Sequence, residues 1–191
     1  MGAHLVTGYA GENHITAADQ GQYNAGTVGT GRYVLETGSM FEAEVKSNNL
    51  IRIKDGDLVN QGRHISIAPD DYADCAIDNG LQAVKRNDLI VMRYTQNPDT
   101  LVESAQVVVI KGVSGDTATD PSYTTGDILN GAQTDDYPLY RVSLDGLNIT
   151  TVEQLFSTVP PLSKVPVIRY GTSNPDNSVG KDGDLYFKII S

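Results

Sequence analysis

The most apolar part of the chain reads DLIVMRY at residues 88–94 and SAQVVVIK at residues 104–111. Continuous apolar runs of this length are typical of strands buried on both faces. The turn-forming sequence Asn97-Pro98-Asp99 separates them, so the two strands are predicted to pair antiparallel at the centre of the fold. The main core is then predicted to include Val91, Val107, Val109 and Ile110.

Upstream of these strands, apolar and polar residues alternate, which is typical of strands with one solvated face. The alternation covers residues 41–46, 51–54 and 64–67. Turn-forming residues separate the segments at Ser47-Asn48-Asn49, Asp55-Gly56 and Gln61-Gly62. Residues 58–59 and 65–67 are predicted to form a tight hairpin. A strand about every ten residues predicts a mainly β fold, an antiparallel β-sandwich or barrel-like domain.

A short N-terminal helix is predicted over residues 17–25. Thr16 can cap its first turn, Asp19 suits the positive helix end, and Gly26 would end it. The rest of residues 1–30 is small, polar and Gly-rich, and we interpret this stretch as an N-terminal anchoring segment.

Downstream of the apolar strands, residues 112–131 predict a long surface loop and residues 138–144 another strand. Residues 150–156 fit either a strand or a short helix. The sequence Val159-Pro160-Pro161 breaks the chain, because proline cannot donate a ladder hydrogen bond. We therefore expect a main β domain at residues 31–158 and a separate segment at residues 159–191.

The C-terminal segment holds two apolar strands, residues 165–170 and 184–190, around a polar turn, and is predicted to be a β-hairpin or oligomerisation segment. So few residues cannot bury a core alone. The segment is therefore expected to pack on the main domain of a monomer, on a partner, or on copies of itself. The predicted oligomer interface comprises Val165, Val167, Ile168, Leu185, Phe187 and Ile189.

Charge and hydropathy argue against several partners. The formal net charge of −10 disfavours nucleic acid and anionic membranes. No apolar run approaches the roughly 18 residues of a membrane span, so no membrane insertion is expected. The first residues, MGAH, lack the charged and apolar regions of a signal peptide. Synthesis in the cytoplasm without a signal peptide is therefore expected.

The residues most often used in catalysis or metal binding show no matching pattern. His4, His14 and His64 lack metal-ligand spacing, and the lone Cys75 has no basic neighbour to activate it. The acidic groups at residues 70–74, 135–136 and 182–184 are interpreted as turn residues. No catalytic residue, metal site or cofactor is predicted.

Several segments resemble bacteriophage and prophage tail-tip, baseplate and receptor-binding proteins. They include RNDLIVMRY at residues 86–94, VVVIKG at 107–112, a Thr/Asp/Pro loop with Pro121, PLYRV at 138–142 and the element from Ile149-Thr150 to Leu155-Phe156. N-terminal pieces similar to prophage tail proteins are HLVTG at 4–8, HITAAD at 14–19 and GRHI at 62–65. The sequence GKDGDLYF at residues 180–187 is similar to pieces common in tail fibres. Together these segments cover most of the chain.

The resemblance implies a non-enzymatic structural or attachment component of the virion tail, made in the bacterial host cytoplasm and working without a cofactor. Its implied partners are copies of itself, with a trimer favoured by analogy with tail fibres, other tail or baseplate proteins, and a host cell-surface glycan. Two alternatives stay open. One is a carbohydrate-binding module or sugar hydrolase, in which exposed aromatics would stack on sugar: Tyr9, Tyr23, Tyr72 and Tyr123. The other is a plain cytoplasmic domain.

Overall fold

The structure, a computed structural model, describes residues 15–176 and 178–190. His4, Tyr9 and His14 lie outside the described residues. The chain divides into two compact units, residues 1–159 and 160–191. The predicted fold class is confirmed, since the described residues form mainly antiparallel β structure with one short N-terminal α-helix.

The first unit contains one helix and nine strands among its described residues. They are α1 (Ala17–Val28), β1 (Arg32–Leu35), β2 (Ala43–Ser47), β3 (Leu50–Asn60), β4 (Arg63–Ala76), β5 (Lys85–Gln96), β6 (Glu103–Ile110), β7 (Thr134–Asp145), β8 (Asn148–Gln154) and β9 (Thr158–Val159). A 3₁₀ turn at Ile128–Asn130 lies in the loop before β7. The second unit contains a 3₁₀ turn at Leu162–Lys164, β10 (Ile168–Gly171) and β11 (Leu185–Lys188).

Helix α1 begins as predicted but ends later. Thr16 accepts a hydrogen bond from the Asp19 backbone amide, and the Asp19 carboxylate accepts one from the Thr16 amide, which completes a capping box. Gly26 lies inside the helix instead of ending it. The helix ends at Val28, with Gly29 as its C-cap at a φ of 123°, a conformation that glycine adopts without strain.

The first sheet is built on the long strand β3. Strand β4 pairs along one edge of β3, while β2 and β1 share the other edge, and β9 pairs parallel to β1. The hairpin between β3 and β4 confirms the prediction, with Leu58 opposite Ile65. The turn predicted at Asp55-Gly56 was wrong. The chain continues through it as an irregularity in β3, where a Cβ on Gly56 would lie 2.7 Å from the Phe41 amide nitrogen.

The second sheet has the strand order β6-β5-β7-β8 and is antiparallel throughout. The predicted pairing of residues 88–94 with 104–111 is confirmed. Residues 148–154 form a strand, which decides the open choice between strand and helix. Pro138 was expected to begin its strand, but it lies inside β7. It pairs with Val91 at a shift in the register between β5 and β7, where the hydrogen-bond ladder is interrupted and a proline is tolerated.

One apolar core joins the two sheets in a sandwich-like arrangement. It takes Ile51, Ile53 and Leu58 from the first sheet. The second sheet contributes Ile90, Met92, Leu139, Val142 and Leu144. All of these side chains are almost completely buried. The sheets thus cover each other's apolar faces.

Strand β5 is buried on both faces, as its continuous apolar sequence predicts. Ile90 and Met92 belong to the inter-sheet core, whereas Leu89 and Val91 point away from it and are equally buried. Strand β6, which was expected to be central, is instead the edge strand of the sheet. Val107 and Val109 pack against the inter-sheet core as expected, but they and Ile110 are only half-buried, in contrast to Val91.

In the second unit, β10 and β11 pair in parallel, with Ile168 opposite Leu185 and Tyr170 opposite Phe187. The predicted antiparallel hairpin was therefore wrong. A hairpin needs only a short turn, whereas parallel pairing needs a connection of about a dozen residues to bring the chain back. Residues 172–184 provide that connection.

Candidate functional site

The loop between β6 and β7, residues 111–133, is bound to the second sheet by aspartate contacts, and we call it the strap. Asp120 in the strap accepts a hydrogen bond of 2.7 Å from Arg141 Nε on β7 and one of 2.8 Å from Asn87 Nδ2 on β5. Asn87, Leu89 and Arg141 lie on the sheet face opposite the inter-sheet core. The strap therefore crosses the outer face of the second sheet.

Two adjacent aspartates at the start of β7 bind the middle of the strap. The carboxylate of Asp136 accepts a hydrogen bond of 2.6 Å from Arg93 Nε and one of 3.0 Å from the Thr124 amide. The carboxylate of Asp135 pairs with Arg32 on β1 and accepts a hydrogen bond of 2.8 Å from the Gly126 amide. Both aspartates are fully buried strand residues, so their interpretation as turn residues was wrong.

The hairpin of β3 and β4 also contacts β7 and the strap. Asn60 Nδ2 donates a hydrogen bond of 2.8 Å to Asp135 on β7, and Gln61 Nε2 donates one of 2.8 Å to the Gly126 carbonyl of the strap. The Gln61 side chain in turn accepts a hydrogen bond of 2.8 Å from the Ile128 amide. The strap is thus held by both sheets, and these hydrogen bonds satisfy backbone groups that would otherwise be unpaired inside the protein.

These contacts keep the carboxylates of Asp120 in the strap and Asp136 on β7 ionised. Burial alone would raise the pKa of Asp136, but hydrogen bonds from Arg93 and from the Thr124 amide hold it below its ordinary value. For Asp120, the hydrogen bonds from Arg141 are the largest influence, and they lower the pKa of its carboxyl group as well. Both groups are therefore fixed hydrogen-bond acceptors at neutral pH.

A cleft of about 480 Å³ opens between the strap, β7 and residues 155–157. Its apolar lining comes from Leu89, Pro138 and Leu155. Its aromatic and polar lining comes from Tyr123, Tyr137, Arg32, Arg141, Asp120 and Ser157. The cleft combines apolar surface with fixed polar groups that could orient a small ligand.

The structure separates the tyrosines that the sequence grouped as sugar-binding candidates. Tyr123 lines the cleft with nearly half of its surface exposed. Tyr72 lies on β4, where the guanidinium carbon of Arg52 is 3.4 Å from its ring centroid. Tyr23 projects from α1.

The remaining residues considered from sequence lie apart from the cleft. His64 is exposed on β4, with its Nε2 at 2.7 Å from Asp57 Oδ1. Cys75 is buried, and burial raises the pKa of its thiol to about 11, which agrees with an unreactive thiol. Asp70 and Asp71, interpreted as turn residues, lie in β4 within an irregularity of its pairing with β3.

The predicted oligomer-interface residues all belong to the second unit, and each is more than two-fifths exposed. They are Val165, Val167, Ile168, Leu185, Phe187 and Ile189. In the described part of the chain, no group of three or more His, Cys, Asp or Glu residues is arranged to hold a metal ion. Nor does any described helix have the length and apolarity to cross a membrane.

Sequence reasoning missed the arginines that pair with the aspartates of the strap and of β7. Arg32, Arg93 and Arg141 are far apart in the sequence and match no binding motif. A usable signal was the pair Asp135-Asp136 directly before an apolar strand, because a carboxylate inside a strand needs a cationic partner when it is buried.

The sequence matches no protein-family model and no curated protein.

Proposed function

We propose that this protein is a structural or attachment component of a phage or prophage tail tip, that it assembles through its second unit, and that it is not an enzyme. The observation that carries the proposal is the apolar surface of the second unit. The resemblance of several segments to tail-tip and receptor-binding proteins supports the same conclusion.

The second unit exposes more apolar surface than a small two-stranded sheet can leave in water. Ile168 and Phe187, on neighbouring strands, are each more than half exposed, and Ile190 is almost fully exposed. Two-stranded sheets are marginally stable alone, and exposed apolar patches of this kind mark interaction sites. Association with copies of the chain would cover these residues. A trimer is favoured by the resemblance to tail fibres, and a closed ring limits further growth.

The carboxylate of the cleft supports a binding role over glycoside hydrolysis. Hydrolysis requires one protonated carboxyl group as the general acid. Asp120 lines the cleft, but Arg141 lowers its pKa and keeps it ionised. Asp120 is therefore suited to accept hydrogen bonds.

A carbohydrate-binding module is the second candidate function, and the cleft is the observation that favours it. Its tyrosine lining can pack on the apolar face of a sugar, and its arginines and aspartate can bind hydroxyl groups. The two functions are compatible, because a tail-tip component that attaches to a host surface would bind that surface through such a cleft.

The proposed function is tested by the location of the protein in particles. The chain, carrying an affinity tag, would be expressed in the bacterium that encodes it during particle production. We expect purified particles to contain the protein and immunogold to mark one end of the tail. A protein that remains entirely in the soluble fraction, while other tail proteins enter the particles, would contradict the proposal.

A further inference from the structure

We propose that the cleft between the strap and β7 is a binding site for a neutral saccharide unit. This inference deepens the proposed attachment role by naming a site and a ligand class, and it rests on that role for its biological meaning.

The shape and lining of the cleft suit a sugar ring. Its volume of about 480 Å³ is enough for roughly one or two sugar rings. Tyr123 supplies an aromatic face that is 46% exposed, and Leu89, Pro138 and Leu155 supply apolar surface. The C–H face of a pyranose is apolar, so it can pack on a tyrosine ring while its hydroxyl groups remain free for hydrogen bonds.

The polar groups of the cleft are held in place before any ligand arrives. Arg141 is fixed by Asp120 and by Glu153, and Arg32 is fixed by Asp135. Asp120 is fixed further by Asn87. Asp120 Oδ2 accepts a hydrogen bond from Arg141 and can accept another, and each guanidinium has five N–H groups, so Asp120 and the two arginines can still bind sugar hydroxyl groups. A site whose polar groups are already ordered loses less entropy on binding.

The charge balance of the site favours a neutral ligand. Both arginines of the cleft are already paired, Arg141 with Asp120 and Glu153, and Arg32 with Asp135. An acidic sugar or a phosphate would therefore find no unpaired cation in the cleft and would have to displace a carboxylate from its arginine. A neutral hexose or N-acetylhexosamine requires only hydrogen bonds and apolar contact, both of which the cleft offers.

The test measures sugar binding by the full chain in solution. Methyl glycosides of neutral hexoses and N-acetylhexosamines would be titrated by saturation-transfer NMR, with methyl glucuronide as the acidic comparison. Tyr123→Ala removes the aromatic face. Ser157→Trp fills the cleft without removing an ion pair. Tyr23→Ala is the matched control, because it removes an exposed tyrosine on α1, outside the cleft.

We expect at least one neutral glycoside to bind saturably, with a dissociation constant on the order of 1 mM. Both cleft variants should weaken that binding by about tenfold or more, because central aromatic contacts dominate such sites, while Tyr23→Ala should not. Thermal melting would check that each variant folds. If Tyr123→Ala does not fold, the binding measured with Ser157→Trp is the test of the cleft. The proposal is overturned if no neutral glycoside binds, if the folded cleft variants bind as well as the parent, or if the glucuronide binds more tightly. Such a failure would leave the particle-incorporation result unaffected.

Discussion

At the scale of single residues, buried arginine–aspartate pairs organise the first unit. The most buried pair is Arg86–Asp88, both on β5, with Nε at 2.8 Å from Oδ1. Asp88 also accepts a hydrogen bond of 2.9 Å from the Gly112 amide, where the strap begins. Arg86 donates to the carbonyls of Asp78 and Asn79, so its charge is shared among several acceptors.

Removing one member of this pair should strongly destabilise the protein. Asp88→Ala leaves the Arg86 guanidinium buried without its carboxylate, and we expect a loss of about 3–5 kcal/mol in the free energy of unfolding. Urea denaturation followed by circular dichroism measures this loss. The control is Asp74→Ala, which removes the exposed partner of Arg52 and should have a much smaller effect. Equal effects of the two substitutions would contradict the structural role of the buried pair.

The paired carboxylates also predict how stability depends on pH. Burial alone would raise the pKa values of Asp136 and Glu103, but their arginine partners hold both below the ordinary values, and Arg141 lowers the pKa of Asp120. A carboxyl group whose pKa is lower in the folded than in the unfolded state stabilises the fold at pH values above its unfolded pKa. This stabilisation is lost as the pH falls through the folded pKa. The free energy of unfolding should therefore be nearly constant around neutral pH and fall below about pH 4.

Urea denaturation at a series of pH values measures this dependence. The variant Asp136→Asn should be less stable at neutral pH and should lose less stability on acidification, because one of the titrating groups is gone. If the free energy of unfolding of this variant falls with decreasing pH as steeply as that of the parent, Asp136 does not contribute to the pH dependence of stability.

At the scale of secondary-structure elements, strands of similar composition occupy different positions. Strands β5 and β6 both contain runs of valine and isoleucine, and the sequence predicted both as central. The structure places β5 between β6 and β7 and leaves β6 at the edge. Strap and inter-sheet core together bury β5, whereas the positions of β6 are exposed or half-buried.

A matched pair of valines tests this difference. Val91 on β5 and Val108 on β6 are directly opposite each other, yet Val91 is completely buried and Val108 is only half-buried. Val91→Ala should lower the free energy of unfolding by about 1–4 kcal/mol, because it removes buried methyl groups and leaves a cavity. Val108→Ala should cost clearly less. The two chemical-denaturation midpoints give the comparison, and a larger effect at Val108 would contradict the assigned positions.

At the scale of the whole molecule, the division between Val159 and Pro160 separates a unit with a core from a unit without one. Val159 belongs to the first unit because it pairs with Leu35 through β9. The second unit has no fully buried apolar side chain among its described residues. The proposed function assigns this unit a partner surface, formed by copies of the chain.

We expect the full chain to self-associate and a chain ending at Val159 to be monomeric. Static light scattering over a range of concentrations measures the masses, and this end point retains the pairing of β9 with β1. Within the full chain, Phe187→Asp should weaken association because it places a charge in the apolar surface. The control Val113→Asp alters an exposed valine of the first unit and should not change the mass. A monomeric full chain would refute self-association.

The sequence alone determined the elements that depend on local patterns. Alternation and turn residues predicted the hairpin of β3 and β4, and Thr16 with Asp19 predicted the start of α1. These features follow from contacts between residues close in the chain.

Only the tertiary structure decided which strand is central, how β10 and β11 pair, and which residues meet at the cleft. Arg32 and Asp135 are distant in sequence, and from the sequence Asp135 was interpreted as a turn residue. In the folded protein it lies in β7 and pairs with Arg32 on β1. A carboxylate can be buried only where a partner satisfies it. That partner is supplied by packing, which a single sequence without a binding motif does not reveal.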